Sequence, residues 1–155
     1  VARPAVVKIN LAEFAATFFA RRFSGGEHGG DLAEPLVSAD IINAVAEVSR
    51  NHETSFVLTR GAESILLARD GDVRCIPVPA LAAEQIINPI GSGDAFLAGM
   101  LAQLLTDRMS AWDRMPLQVL EKAIGFGTAC AQSNARTLRP GFLEDSFASS
   151  GLHSP

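Results

Sequence analysis

The sequence contains no tyrosine, one tryptophan and two cysteines, and charged residues make up only 19% of its 155 positions. Its 13 Lys and Arg are fewer than its 17 Asp and Glu and are scattered along the chain, so the net charge is −4. Nucleic acids and anionic membranes are bound by clustered positive charge, and neither is an expected partner. No apolar stretch reaches the roughly 20 residues that cross a bilayer. These absences favour a protein that binds small molecules.

The two cysteines, Cys75 and Cys130, lie among apolar neighbours and belong to no CxxC pair or Cys/His cluster. We expect both to be buried free thiols, a usage typical of a reducing compartment. The sequence opens without the basic and apolar regions of a secretory signal, so the cytoplasm is the expected location. It also opens on Val1 and enters a strand-like run within a few residues, which indicates a piece of a longer chain.

With 48% hydrophobic residues, the chain is long enough to form one domain, residues 1–155, with a core of its own. Short β-branched runs alternate with segments of helical periodicity, a pattern typical of an α/β fold. Asp70 and Gly71 predict a hairpin turn, and therefore an antiparallel part of the sheet. The predicted strands cover residues 5–9, 55–59, 65–68 and 73–78, and the predicted helices cover 11–23, 38–48, 94–105 and 117–133. The first strand is expected to be buried on both faces.

The stretch NPIGSGDAFLAG, residues 88–99, places two glycines directly before an apolar helix. Gly91 and Gly93 permit backbone angles closed to other residues, so the N–H groups of residues 91–93 can point into one concavity. The start of a helix adds further unpaired N–H donors and partial positive charge. The stretch therefore predicts an anion site, such as one for phosphate. The helix that follows is apolar all round, so we expect it to be buried at the centre of the domain, with Gly99 allowing another element to approach closely.

Asp94 would repel an anion unless it has a separate role, and two roles are open. It is either a helix cap, a common use of aspartate, or a general base that takes the proton from an attacking hydroxyl as phosphate arrives. The residue pattern alone does not separate the two roles.

These residues match a known family. NPIGSGDAFLAG resembles the signature of the PfkB-type carbohydrate kinases, the ribokinase-like family, whose usual form is D-T-x-G-A-G-D-x-F-x-A-G. Its Asn-Pro opening and the serine between the glycines are most similar to the 1-phosphofructokinase and tagatose-6-phosphate kinase branch. The resemblance implies a ribokinase-like, Rossmann-like three-layer α/β/α sandwich of which this chain is the C-terminal, nucleotide-binding part. The N-terminal half, with its sugar-binding residues and lid, would lie outside this sequence.

Further stretches resemble family elements in the family's order. Lys8, Asn10 and Glu13 form a K-x-N-x-x-E element, which implies that Asn10 and Glu13 help to hold Mg²⁺ through water and that Lys8 reaches phosphate. Taken alone, Asn10 and Glu13 favour a helix-capping pair, and Lys8 suits a surface position equally well. Thr59 and Gly61 resemble the family's nucleotide-phosphate turn, although ordinary turn residues would look the same.

The end of the chain resembles the segment that walls the adenine pocket in this family, which implies nucleotide contacts from Gly127 and Asn134. Asn134 is also a common residue at the C-terminus of a helix. One departure is Ser64, where the family usually has a second glycine after Gly61. Close backbone approach at that turn is therefore in doubt.

The resemblance implies ATP-dependent phosphoryl transfer to a hydroxyl of a sugar or sugar phosphate. In that reaction Gly91, Ser92 and Gly93 would bind the transferring phosphoryl, and Asp94 would contact the sugar hydroxyl as general base. The alternatives are a non-catalytic nucleotide-binding module, an inactive kinase fragment, or a plain structural α/β domain. We expect residues 1–155 alone to be inactive and, because strands of the sheet would be missing, to self-associate.

Overall fold

The computed structural model describes residues 5–18, 38–107 and 115–144. The chain forms two compact units, Val1–Val78 and Pro79–Pro155. The single domain expected from the sequence stays a prediction.

The first unit contains a four-stranded mixed sheet with two helices. Its elements are β1 (Val6–Asn10), α1 (Leu11–Phe18), α2 (Ser38–His52), β2 (Ser55–Thr59), β3 (Ile65–Arg69) and β4 (Asp72–Ile76). The strand order is β1-β2-β3-β4, with β1 and β2 parallel and the other two pairs antiparallel. Parallel neighbours need a long crossover, and the chain between β1 and β2 includes both helices. The predicted strands and the antiparallel part of the sheet are confirmed.

The turn between β3 and β4 follows from its Asp-Gly sequence. Asp70 and Gly71 both have positive φ, 54° and 90°, as a two-residue hairpin turn of the favoured type requires. The backbone N–H of Gly71 donates to the hydroxyl of Ser49 on α2, 3.0 Å away. This bond links the hairpin to the helix beside it and helps to fix the sheet register.

The core of the first unit lies between the sheet and its two helices. Alternate residues of β2 and β3 face the helices, and Phe14 of α1 packs edge-on against Phe56 of β2, with ring centroids 6.5 Å apart. The buried residues of this cluster are Phe14, Ile41, Val45, Val48, Phe56, Leu58, Leu66 and Ala68. Burial of these apolar side chains stabilises the packing of the two helices against the sheet.

Two burial predictions for this unit are wrong. The residues of β1 are only half-buried, because β2 is the one strand that pairs with β1 among the described residues. Cys75 is exposed, because it lies on β4 at the edge of the described sheet. Cys130, in the second unit, is buried as predicted, and burial raises the pKa of its thiol.

The second unit contains a short 3₁₀ turn (Ala83–Gln85) and two long helices, α3 (Ser92–Thr106) and α4 (Leu117–Ala135). The helices cross closely at glycines. A Cβ at Gly99 would lie 2.6 Å from the Sγ of Cys130, and a Cβ at Gly127 would lie 2.6 Å from the carbonyl oxygen of Phe96. The expectation that Gly99 permits a close approach is confirmed.

The helix α3 is buried on one side only. Ala95, Phe96, Gly99, Met100 and Leu104 are buried. Leu97, Leu101 and Leu105 follow one another at intervals of four residues and are 37%, 43% and 68% exposed. The prediction of a helix buried all round is therefore wrong for this outer face.

The part of the first predicted helix after residue 18 lies outside the described residues. Within the described ranges, no helix combines the length and apolar character that a membrane span requires.

Candidate functional site

The loop of residues 88–93 ends at the first turn of α3. Gly91 is the N-cap of α3 and has a left-handed conformation, with φ 82° and ψ −3°. A side chain would be strained there, and a Cβ at Gly91 would also lie 3.2 Å from the Cβ of Pro140. The carbonyl oxygen of Gly91 accepts the first helical hydrogen bond, from the N–H of Ala95 at 2.9 Å. The backbone angle thus favours glycine, and Pro140 would make a tight contact with any side chain there.

The N–H groups at this helix start have different partners. The N–H of Ser92 donates to the carbonyl oxygen of Pro89 at 3.2 Å, which closes the turn. Gly93 and Asp94 lie in the first helical turn, where N–H groups have no intrahelical acceptor. Such groups, with the helix dipole behind them, favour an anion. The geometry therefore offers Gly93 and Asp94 as donors more directly than Ser92.

Asp94 is the third residue of α3, and its side chain is exposed. Because the N-cap is Gly91, Asp94 is not the capping residue. A carboxylate in a first helical turn is favoured by the helix dipole. The carboxylate of Asp94 lies beside the backbone N–H groups of Gly93 and of Asp94 itself. It is therefore placed where an incoming hydroxyl near that anion site could contact it.

A second segment, residues 134–141, is hydrogen-bonded to this loop. The N–H groups of Ile87 and Asn88 both donate to the carbonyl oxygen of Ala135, at 2.8 and 3.0 Å. The amide nitrogen of Asn88 donates to the carbonyl oxygen of Leu138 at 3.3 Å, and its amide oxygen accepts from the N–H of Ile90 at 3.0 Å. A carboxylate at residue 88 could not donate the hydrogen bond to the carbonyl oxygen of Leu138.

Asn134 joins the two segments from inside the unit. It is fully buried, and its amide nitrogen donates to the carbonyl oxygen of Ile90 at 2.9 Å and to the hydroxyl of Ser92 at 3.3 Å. Its amide oxygen accepts from the N–H of Gly141 at 2.6 Å. The sequence did not predict this arrangement. The available signal for it was a polar asparagine at residue 134, near the end of an apolar helix.

Gly127, also predicted to contact nucleotide, lies at the crossing of α3 and α4. The glycine is explained there by helix packing, because the neighbouring backbone of Phe96 leaves no room for a side chain. Its predicted nucleotide contact stays a prediction.

In the first unit, Asn10 and Glu13 form a reciprocal capping pair at the start of α1. The N–H of Asn10 donates to Oε2 of Glu13 at 3.0 Å, and the N–H of Glu13 donates to Oδ1 of Asn10 at 2.8 Å. The capping alternative is therefore confirmed. Glu13 is exposed, and the capping bond uses one of its two carboxylate oxygens.

Thr59 and Gly61 lie at the same strand ends, whereas Lys8 lies in the middle of β1. Asn10 on β1 pairs in register with Thr59 on β2, so both lie at the carboxyl ends of parallel strands. Lys8 is half-buried on β1 and pairs in register with Val57. Gly61, just beyond β2, has φ 65°, a conformation that favours glycine.

The backbone conformation at residue 64 explains why serine can replace the glycine that is usual in the family. Its φ is not positive, since Glu53 and Asp70 are the residues other than glycine with positive φ in the described part of the chain. The carbonyl oxygen of Ser64 accepts from Nε of Arg60 at 3.0 Å. The local backbone therefore does not require glycine at residue 64.

The profile of the pfkB family carbohydrate kinases matches residues 1–142. The chain belongs to this family. Adenosine kinase 2 of Arabidopsis thaliana is 32% identical over 89 residues, which cover 57% of this chain and 26% of that protein. Adenosine kinase of Schizosaccharomyces pombe is 30% identical over 80 residues, which cover 52% of this chain and 24% of that protein. The chain thus spans about a quarter of the length of these relatives.

Solved structures give the same assignment of the fold. Adenosine kinase of Anopheles gambiae, in complex with a di(adenosine) tetraphosphate, has a TM-score of 0.61 and 25% identity, over 86% of this chain and 35% of that one. This pfkB-family chain therefore has the predicted ribokinase-like α/β fold, with a mixed sheet and helices. The relatives are adenosine kinases, so they do not support the narrower placement in the sugar-phosphate branch.

Proposed function

We propose that the protein containing this chain is an ATP-dependent kinase that phosphorylates a hydroxyl of a small sugar-containing substrate. The observation that carries the proposal is the start of α3, where Gly91 adopts a left-handed conformation and Asp94 is exposed in the first turn. Membership of the pfkB family supports the same reaction class.

In the proposed mechanism the first turn of α3 stabilises the transferring phosphoryl group. The N–H groups of Gly93 and Asp94 donate to its oxygens, with Gly91 and Ser92 shaping the loop and adding donors as it adjusts to the ligand. By analogy with oxyanion holes, each well-placed donor contributes about 3 kcal/mol to the stability of the transition state. No covalent step on the protein is needed, because positioning and charge stabilisation suffice for phosphoryl transfer.

Asp94 acts as the general base of the proposed reaction. Its carboxylate accepts the proton of the acceptor hydroxyl while the hydroxyl oxygen forms a bond to the γ-phosphorus of ATP. The bond from that phosphorus to the β–γ bridging oxygen breaks, and ADP leaves with the electron pair.

Mg²⁺ is the metal that this reaction class uses, and the side-chain oxygens of Asn10 and Glu13 suit it. Amide and carboxylate oxygens are the ligands that Mg²⁺ prefers, and it is commonly held by few protein groups. Bound there with ATP, the ion would neutralise charge on the phosphates. Glu13 keeps its Oε1 outside the capping bond, so holding a hydrated ion is compatible with capping α1.

Nucleotide contacts are proposed for Thr59 and Gly61, at and just beyond the carboxyl end of β2, and for Lys8, two residues before the carboxyl end of β1. Ligands of α/β proteins bind at this edge of the sheet. Gly127 and Asn134 are buried, so any effect they have on nucleotide binding passes through the residues they contact.

Two classes of acceptor are supported by different observations. The Asn-Pro-Ile-Gly-Ser-Gly sequence favours a sugar or sugar phosphate by resemblance, whereas the adenosine kinase relatives favour a nucleoside. Both classes present a sugar hydroxyl to Asp94, so the mechanism is the same for each.

The test is an ADP-release assay of the full-length protein with Mg-ATP and a panel of sugars, sugar phosphates and nucleosides. We expect turnover with one acceptor class. Binding of Mg-ATP by calorimetry without turnover on any acceptor would favour a non-catalytic nucleotide-binding module, and no binding at all would leave a structural domain. Residues 1–155 alone are expected to show little turnover, because acceptor-binding residues would lie outside them.

A further inference from the structure

The loop before α3 is held by a single buried side chain from α4, that of Asn134. We propose that Asn134 is a positioning residue, which fixes the peptide between Ile90 and Gly91 so that the phosphate-binding N–H groups face outward. This inference rests on the proposed function for its catalytic consequence, although the positioning itself can be tested without activity.

Burial and hydrogen bonding show that the Asn134 side chain is committed to the protein. It is 0% exposed, and its nitrogen and oxygen atoms both have protein partners. A buried amide that lost one of these partners would leave a polar group unsatisfied, which destabilises the folded state. The side chain is therefore held in one orientation, as a positioning role requires.

The bond to Ile90 controls the direction of a donor. A trans peptide unit is planar, and its C=O and N–H point in opposite directions. The carbonyl oxygen of Ile90 and the N–H of Gly91 belong to the same peptide unit, and the carbonyl points at Asn134, 2.9 Å away, in the interior. The N–H of Gly91 must then point away from the interior, toward the side on which an anion could bind.

Other contacts hold the two segments together without Asn134. The carbonyl oxygen of Ala135 accepts from two N–H groups, Asn88 donates to Leu138, and Pro140 lies against Gly91. Removing the Asn134 amide should therefore free the peptide between residues 90 and 91 to rotate, while the segments stay paired. The expected defect is in the orientation of the loop.

The test compares Asn134→Asp and Asn134→Ala with Ser133→Ala in the full-length protein. The Asp variant keeps an acceptor for Gly141 and loses the donor to Ile90, whereas the Ala variant loses both. Ser133 is the matched control, because it is buried on the same helix but its hydroxyl accepts from the N–H of Glu144, outside the loop. All variants are assayed at a temperature where circular dichroism shows them folded.

The first measurement is amide hydrogen exchange of Ser92 without ligand, because its N–H donates to the carbonyl oxygen of Pro89 within the loop. We expect exchange at Ser92 to be faster by about tenfold or more in both Asn134 variants, because a mobile peptide opens more often, and unchanged in Ser133→Ala. The second measurement is how the kinetic effect divides between kcat and KM for ATP. We expect kcat to fall roughly tenfold to a hundredfold in the Asn134 variants, with KM for ATP changed far less, because a misaligned donor is felt mainly in the transition state.

Unchanged exchange at Ser92 in folded Asn134 variants would overturn the positioning role. Full kcat in those variants, with an active wild-type protein, would overturn its catalytic consequence alone. An inactive wild-type protein would refute the proposed function and leave exchange to decide the positioning. If neither variant folds, the side-chain amide protons of Asn134 in the wild type decide. They should exchange at least roughly tenfold more slowly than those of exposed Asn51, and equal rates would contradict the proposal.

Discussion

Gly127 of α4 lies against Phe96 of α3, so that a Cβ at residue 127 would be 2.6 Å from the carbonyl oxygen of Phe96. Gly125 lies two residues earlier on the same helix. A Cβ added there would have no heavy atom within 4 Å, apart from its chain neighbours and the backbone of its own helix. The two glycines share a helix and differ in whether a methyl group would meet a neighbour. They therefore separate the packing of α3 against α4 from helix propensity.

Gly127→Ala should destabilise the protein and Gly125→Ala should stabilise it. The methyl group at residue 127 forces the backbones of α3 and α4 apart, which lowers the free energy of unfolding by about 1 to 3 kcal/mol. At residue 125 alanine gains helix propensity, by roughly 0.5 to 1 kcal/mol, without a clash. Urea denaturation followed by circular dichroism gives both free energies of unfolding. Equal effects of the two substitutions would contradict the close helix crossing.

Glu13 is expected to have two separable roles, as cap of α1 and as a group near Mg²⁺. Glu13→Gln keeps an oxygen that can accept from the N–H of Asn10, so the free energy of unfolding should change little. Its lost charge should raise the Mg²⁺ concentration needed for half-maximal turnover. Glu13→Ala removes the cap as well, and should also lower the free energy of unfolding by about 0.5 to 2 kcal/mol.

The Gln and Ala variants together decide between the roles. If Glu13→Gln needs no more Mg²⁺ than the wild type, the carboxylate is a capping group only. Denaturation and a magnesium titration of the full-length protein, run on the same samples, give both quantities.

The sequence predicted the elements of this chain well, because strands and helices are set by local periodicity and turns by residues such as Asp70 and Gly71. The sequence also placed Gly91 and Asp94 at the start of a helix, because two glycines that permit turn conformations stand directly before an apolar run. Burial was harder to predict. The exposed Leu101 and Cys75 were expected inside, because one sequence does not show which apolar face lacks a neighbour.

The role of Asn134 could not be derived from the sequence for a related reason. Its partners, Ile90 and Gly141, are 44 and 7 residues away, and hydrogen bonds with backbone C=O and N–H groups leave no mark on the identity of the partner residue. The capping pair of Asn10 and Glu13, by contrast, is local and was among the predicted alternatives.

The outer face of α3 should make residues 1–155 self-associate. Leu97, Leu101 and Leu105 form an exposed apolar stripe along one side of the helix, and contiguous apolar surface favours association. We expect light scattering after gel filtration to show species larger than a monomer. The double substitution Leu101→Gln and Leu105→Gln should shift the protein toward monomer.

Leu138→Gln is the control for the stripe, since Leu138 is 80% exposed and lies outside α3. It should leave the distribution of species unchanged. A monodisperse wild-type monomer at about 100 μM, a concentration in the range where exposed apolar surface drives association, would rule out self-association through this face.

The most direct test of the central claim is the turnover number of Asp94→Asn in the full-length protein. Asp40→Asn is a matched control, because Asp40 is likewise an exposed aspartate at the third position of a helix, α2. Loss of a general base should lower kcat by roughly 10² to 10⁴-fold, with Mg-ATP affinity by calorimetry largely unchanged. Asp40→Asn should retain wild-type turnover. An Asp94→Asn protein that turns over at the wild-type rate would contradict the assignment of Asp94 as the base at the start of α3.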